Sequence, residues 1–509
     1  MIRSSMTMGV PEQISEVVRQ WISIDAAFAK AIQEGASPGQ ALTRLGIRLC
    51  VQERYTESLL ILRTAIALAP DDPAGLSNLA VVLERTDQTD EAIRTVECSL
   101  ALSRAQPDSW IFLGNLRKKR GDLPGAQAAY EAAIPLETTS PLAWQGLGLV
   151  KQAQRKYREA IECIATCIRQ SAATAPLLSI LGQLFHSTGQ FEEARDAYAA
   201  AVELDGANPV YRRMRRDTQF IWAAIHGNSL EDAIDAYSLD RSAFPGNDGN
   251  DTDLEKRLHV TFCLLCAYGH KDAALRLGAK RVALFPASAT AAYLLHAVTG
   301  DQSIPRSPDA YLVEHFNEYA DRFDQHLVDM LGYDIPQKLG AALAGLMPAG
   351  ARADVLDAGC GTGLCGPWVR GFSASLTGVD LSPGMLDHAR RRQVYDHLVC
   401  AELTSFLAES PARFGAIVAA DVLIYFGELT PLAAAIGKSL RAGGLLAVST
   451  ERASLPGHRI LSSGRFAHDP DYVRSVFHSE FTECLCEDTT VRLEAELPVA
   501  GNIFVFRRR

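Results

Sequence analysis

The sequence predicts a multidomain chain, an all-α solenoid of helical repeats followed by an α/β domain built on a parallel sheet. Three observations carry this. A period of 34 residues runs through the first half of the chain. From about Ala351 the text changes to short apolar runs alternating with helical stretches. The first of those runs closes on a glycine-rich turn, Asp357-Ala-Gly359-Cys-Gly361-Thr-Gly363.

The repeats come first. With units starting at Gly39, Pro73, Pro107, Pro141 and Ala175, position 7 is Leu45, Leu79, Leu113, Leu147 and Leu181. Position 8 is Gly46, Ala80, Gly114, Gly148 and Gly182, and position 20 is Ser58, Ala92, Ala126, Ala160 and Ala194. Position 24 is Leu62, Val96, Tyr130, Ile164 and Tyr198. Small residues let two antiparallel helices cross closely, and large ones fill the gap beside them. A glycine inside a lone helix would be costly, so at position 8 it reads as a packing position. The pattern resembles the tetratricopeptide repeat over residues 39–208. That resemblance implies a groove for a protein partner, lined by Asn115, Lys118, Gln145, Gln152, Gln183 and His186. Residues 1–38 are expected to be an N-terminal capping helix. Residues 209–302 read as degenerate repeat-like helices, with LEDAIDAY (230–237) and 270–286 as two of them, since a solenoid needs atypical terminal units. The polar stretch 245–251 between those two reads as a loop.

Composition excludes several classes. The 509 residues carry a formal charge of -10, which argues against bulk electrostatic attachment to nucleic acid or an anionic membrane. The 11 cysteines are scattered and odd in number, unlike a secreted disulfide framework. Cys263-x-x-Cys266 has no partner pair at zinc spacing, so no metal site is expected. The N-terminus has no apolar signal core and no apolar run approaches the ~20 residues of a membrane span. A cytoplasmic setting is the expectation.

In the second half, apolar runs at 353–359, 375–380, 397–403, 414–421 and 443–451 alternate with helical stretches. That order means a parallel sheet with helices on both faces. Two further strands, 481–488 and 502–508, are expected to form an antiparallel hairpin at the sheet edge. The glycines of the first turn let the backbone approach a ligand closely. This D-x-G-x-G-x-G turn, with Asp380 ending the second strand in Asp380-Leu381-Ser-Pro-Gly-Met385-Leu, resembles motif I and its sequel in class I S-adenosylmethionine-dependent methyltransferases of Rossmann-like fold. The resemblance implies cofactor contacts at Asp357, Gly359, Gly361, Gly363, Asp380, Leu381, Met385, Glu402, Leu403 and Asp421. Asp357 would take the methionine amino group, Asp380 the ribose diol, Leu381 or Met385 the adenine face, and Glu402 the adenine amine. Gly361-Thr-Gly363-Leu-Cys-Gly366 also fits a dinucleotide fingerprint. That rival explains neither Asp357, placed where dinucleotide enzymes have no need of a charge, nor Asp421 after the fourth strand.

Residues 303–350 form the join, a helical lid or linker ahead of the domain at 351–509. The string from Tyr311 to Pro336 resembles a group of bacterial proteins described as predicted methyltransferases with tetratricopeptide repeats, with Asn317 where the group has Asp. Phe316, Tyr319 and Phe323 would close over the methionine end. Methyl transfer needs a base only when the acceptor holds a proton. His326, His468, Tyr425 and Tyr333 are the candidates. The resemblance implies a methyltransferase using S-adenosyl-L-methionine on a small-molecule or protein acceptor, its repeats recruiting a protein. The alternative is an interaction scaffold whose second half only binds a nucleotide-like ligand.

Overall fold

The computed structural model describes residues 12–138, 140–227, 230–232, 234, 251–325, 327, 331–494 and 497–509. Of the expectations above, the loop at 245–250 and half of 230–237 lie outside these residues, as does His326. The chain divides into two compact units, Met1–Arg215 and Arg216–Arg509.

The first unit consists of antiparallel helix pairs, beginning Pro38–Val51 with Tyr55–Leu68 and ending Ala175–Ser187 with Phe191–Leu204. The small-against-large rule holds atom by atom. A Cβ on Gly46 would meet Leu62 Cγ at 2.5 Å, one on Gly114 would meet Tyr130 Cε1 at 2.7 Å, and one on Gly148 would meet Ile164 Cδ1 at 2.7 Å. Position 8 thus packs against position 24 of its own unit. Position 20 is fully buried in all five units. The segment ahead of the repeats differs from the expected single helix. It forms Glu12–Ile24 and Ala26–Gln33, broken at Asp25, whose carboxylate caps the second helix at Phe28 N (2.7 Å) and pairs with Arg48.

Each pair turns at unit position 15, where the backbone is left-handed: Glu53 (φ 61°), Asp87 (60°), Gly121 (80°), Arg155 (62°) and Gly189 (75°). Only glycine enters that region without a Cβ penalty, which for other residues is about 1–2 kcal/mol. Part of the gain from glycine is lost to its freer unfolded chain. Arg155→Gly is therefore expected to stabilise the unit by about 0.5–1 kcal/mol and Arg155→Val to destabilise it. Calorimetric melting reads both, and a lower melting temperature for the glycine variant would refute the strain argument.

The second unit holds a nine-stranded sheet. Its parallel body runs β3 (His397–Cys400), β2 (Ser373–Asp380), β1 (Ala353–Ala358), β4 (Phe414–Ala419), β5 (Leu440–Arg452). The expected C-terminal hairpin is present as β8 (Phe481–Glu494) and β9 (Leu497–Arg508), with β9 antiparallel to β5. Two short strands went unforeseen, β6 (His458–Ile460) and β7 (Phe466–His468), which pair with the end of β5. The run expected as a strand over 397–403 stops at Cys400, and Glu402 instead caps the helix Leu403–Ala408.

The helices Asp251–Ala267, Lys271–Leu284 and Ala289–Thr299, expected as the decaying end of the repeats, belong to this second unit. Leu258, Phe262, Leu277, Tyr293 and Leu294 share one core with Ile460 and Phe466 from β6 and β7. The Tyr293 hydroxyl donates to the Gly464 carbonyl at 2.7 Å. Among the described residues no helix is long and apolar enough to cross a membrane.

Candidate functional site

Strand order reverses between β1 and β4, and in open α/β sheets ligands bind beyond the carboxyl ends of the strands at that point. Here a cavity of about 1230 Å³ opens. Its walls include Tyr319, Asp357, Gly359, Gly361, Asp380, Leu381, Met385, Glu402, Leu403, Asp421 and Tyr425. Sequence reasoning named all of these, so residues up to 106 positions apart converge here by the sheet topology. Gly363 and His468 are not among the cavity walls.

The glycine turn leaves β1 with three left-handed residues, Gly359 (φ 66°), Gly361 (53°) and Gly363 (89°). A Cβ on Gly361 would meet nothing within 4 Å, so its bare backbone faces open space. Gly359 makes room for Val422, whose Cγ2 a Cβ would meet at 2.6 Å. Gly363 serves Tyr395, whose Cε2 would lie 2.9 Å from a Cβ there. Tyr395 is the residue that sequence reasoning missed. Its hydroxyl donates to Asp357 Oδ2 at 2.6 Å. The signal was the row of glycines at 363, 366 and 378, each clearing space for this ring.

Asp357 is 1% exposed, and burial pushes its carboxyl up to about 7, with the Tyr395 hydrogen bond opposing and Asp380 adding to the rise. Burial also raises Asp380, against hydrogen bonds from Ser382 N and Gly361 N, both 2.8 Å. Each Asp380 oxygen accepts a backbone N–H, from Gly361 and Ser382, and the Leu381 N–H also favours its charged form. Asp421, on the cavity wall, is a non-glycine residue in left-handed backbone (φ 52°), a strained placement. Ser449 Oγ donates to it at 3.1 Å and Arg492 lies 3.4 Å away. Burial pushes this carboxyl up to about 6, with Arg492 pulling it back.

Two expected roles do not fit. Glu402 accepts from Thr404 N (3.0 Å), Ser405 N (2.8 Å), Ser405 Oγ (2.9 Å) and Arg306 Nη1 (3.1 Å). A carboxylate has about four acceptor positions, so little remains for an adenine amine. His468 is fully buried, its Nε2 lies 2.7 Å from the Phe426 carbonyl, and its ring stacks on Tyr472. Burial lowers it to about 4, so it is neutral and holds the loop after β4. Tyr425 does line the cavity, edge-on to Phe316 at 5.6 Å. Burial raises its phenol, which makes it a donor rather than a base. Tyr333 is a cavity wall raised in the same way.

The join is tied to both ligand turns. Asn317 Oδ1 accepts from Ser382 Oγ (2.7 Å) and Gly384 N (3.1 Å), and Asp324 pairs with Thr362 and Arg392. Phe316, Tyr319 and Phe323 form an aromatic cluster on the cavity wall. Deeper lies a charge network: Arg465 with Glu451 (2.7 Å) and Glu494, and Arg492 with Glu451, Glu494 (2.7 Å) and Asp421. Among the described residues no group of three or more His, Cys, Asp or Glu is gathered as a metal site.

The fold and these turns define an α/β domain with a cavity at the switch point of its sheet, in a chain that also carries helical repeats. The family described as "Methyltransferase domain" matches residues 355–444, and "Tetratricopeptide repeat" matches 146–209. The chain thus contains a methyltransferase-type domain and tetratricopeptide repeats. It is 33% identical over 142 residues to a malonyl-[acyl-carrier protein] O-methyltransferase of Enterobacter lignolyticus (strain SCF1), covering 28% of this chain and 54% of that one. It is 32% identical over 120 residues to a ubiquinone biosynthesis O-methyltransferase of Xanthomonas axonopodis pv. citri (strain 306), covering 23% and 49%. The chain spans about half the length of these curated relatives. Among solved structures it is similar to MamA, at 19% identity and a TM-score of 0.31 over 32% of this chain and 94% of that one.

Proposed function

We propose that the second unit binds S-adenosyl-L-methionine and transfers its methyl group to an oxygen of an acceptor held in the same cavity. The observation that carries this reading is the pair Asp357 and Asp380, one on each side of the bare backbone at Gly361, both opening into the cavity. Asp357 suits an ammonium group, and Asp380 suits two ribose hydroxyls. Leu381, Met385 and Leu403 give the adenine an apolar bed. When bound, the cofactor supplies a methyl group already activated by the sulfonium charge. The chain's own work is alignment and exclusion of water. Phe316, Tyr319 and Phe323 cover the cavity on the methionine side and offer ring faces to a cation. Asp421, raised to about 6, is the group we assign to take the proton of a hydroxyl acceptor. The O-methyltransferase relatives favour oxygen as the atom methylated. The repeats recruit a protein partner or substrate, and the cysteines, all free, fit a reducing cytoplasmic setting.

Calorimetric titration of the full chain with S-adenosylmethionine and, separately, NADH tests the reading. Micromolar binding of the first alone is expected, and preference for NADH would defeat it.

Asp357 adds a pH signature. Its folded value of about 7 lies above the ordinary ~3.9, so the folded chain holds the extra proton between them. Its contribution to stability therefore falls as pH rises from about 4 to about 7. A bound ammonium favours the carboxylate, so cofactor binding at pH 6 is expected to release a fraction of one proton. Heats measured at pH 6 in buffers of different ionisation enthalpy read that release. Identical heats in all buffers would show that Asp357 does not charge on binding.

A further inference from the structure

The cavity is larger than one cofactor requires. Pockets for a single drug-sized ligand run to about 300–1,000 Å³, and this one is about 1230 Å³. The helix Asp251–Ala267 forms part of its wall. That helix is apolar on two faces. Leu258, Phe262 and Leu265 are almost fully buried in the core. Val260, Cys263, Leu264 and Ala267, at spacing i, i+3, i+4, i+7, line the cavity instead. Val260 is 48% exposed, and Cys263 is open to a water-sized probe although it lies deep beneath the surface. The surface that Cys263 presents is cavity wall. Burial pushes its thiol up to about 11, so it is a neutral, apolar contact rather than a nucleophile. An apolar helix face is normally covered. Here the second face, about 10 Å long, lies on the cavity wall. Leu312 lies on the same wall, and the cavity continues without a break past Tyr425 and Arg465 to Asp421 and Asp380.

We infer that this arm holds the apolar chain of a small amphipathic acceptor, whose polar end meets the methyl donor beside Asp421 and Tyr425. The inference rests on the methyltransferase reading above and deepens it by naming the acceptor class, a lipid-like hydroxyl or acid rather than a protein side chain. Two things point to that occupant. The arm is part of the same cavity as the site where the methyl group is expected, and the stripe is apolar apart from His259 beside Cys263.

The test uses cis-parinaric acid, a fluorescent aliphatic carboxylic acid, titrated into the full chain with and without saturating S-adenosylmethionine. Two variants accompany the wild type. Ala267→Phe fills the arm, and Val260→Asn keeps its volume but makes it polar. Melting by circular dichroism checks that both fold. Micromolar binding by the wild type, undiminished by S-adenosylmethionine, is expected. Each variant should weaken it by at least about tenfold, with S-adenosylmethionine affinity within about twofold of wild type in both. No fluorescence gain with the wild type, equal binding by the folded variants, or competition with S-adenosylmethionine would overturn the inference. Failure of S-adenosylmethionine itself to bind is read in its own titration and strikes the donor reading, not the arm.

Discussion

Asp380→Ala is expected to lower affinity for S-adenosylmethionine by about 100-fold or more. Two hydrogen bonds from a ribose diol to a carboxylate contribute about 1.5–3 kcal/mol each, and every 1.4 kcal/mol is tenfold. The same carboxylate holds Gly361 N and Ser382 N, so its loss also frees the turns on either side of the ligand. Asp380→Asn separates the two effects. It keeps one carbonyl oxygen for a backbone N–H and loses the charge, and should fall between wild type and alanine. Both are measured by calorimetry at pH 8, where Asp357 is charged. Wild-type affinity in Asp380→Ala would remove this residue from the binding site and with it the main support for the cofactor reading.

The second large effect lies in the first unit. Tyr130 is fully buried between two glycines of neighbouring repeats. A Cβ on Gly114 would meet its ring at 2.7 Å, and one on Gly146 at 2.3 Å. Its hydroxyl donates to Asn115 Oδ1 at 2.7 Å, so the ring cannot simply swing away. Gly146→Val should cost about 3 kcal/mol or more, the upper end of overpacking. In a solenoid each repeat leans on its neighbours, so the loss should centre on the third and fourth units. Hydrogen exchange resolves this, with faster exchange in Pro107–Ala153 than in Pro38–Leu68. Tyr130→Leu combined with Gly146→Val should recover part of the loss, because the smaller side chain vacates the space. A single variant as stable as wild type would mean that the contact has slack.

Much of this could be read from residue types alone. The repeats were legible because their packing rule is local: a small residue at position 8 faces a large one 16 places on, and five copies repeat it. The alternation of strands and helices and the ligand turn were legible for the same reason, since Asp357, Gly361 and Asp380 lie within a short stretch. What escaped depends on distant parts of the chain. Tyr395 reaches Asp357 from the edge of the sheet, and no spacing rule links the two. Glu402 sits where an acidic ligand contact is expected, but a serine three residues on and Arg306, 96 residues earlier, claim its oxygens. His468 looks like a base in a motif, yet the fold spends its imidazole on the Phe426 carbonyl. The helices before the join carry a repeat-like pattern, and only the contacts with β6 and β7 reveal which unit they serve.

Those contacts bear on how the protein can be divided. A fragment begun at residue 303, where the text of the sequence changes, would strip Phe262, Leu277 and Leu294 from Ile460 and Phe466 and leave an apolar scar on its flank. It should aggregate or need detergent. The shortest soluble piece with an intact ligand cavity is expected to start near Arg216, because the helices from there to Thr299 are masonry for the α/β half.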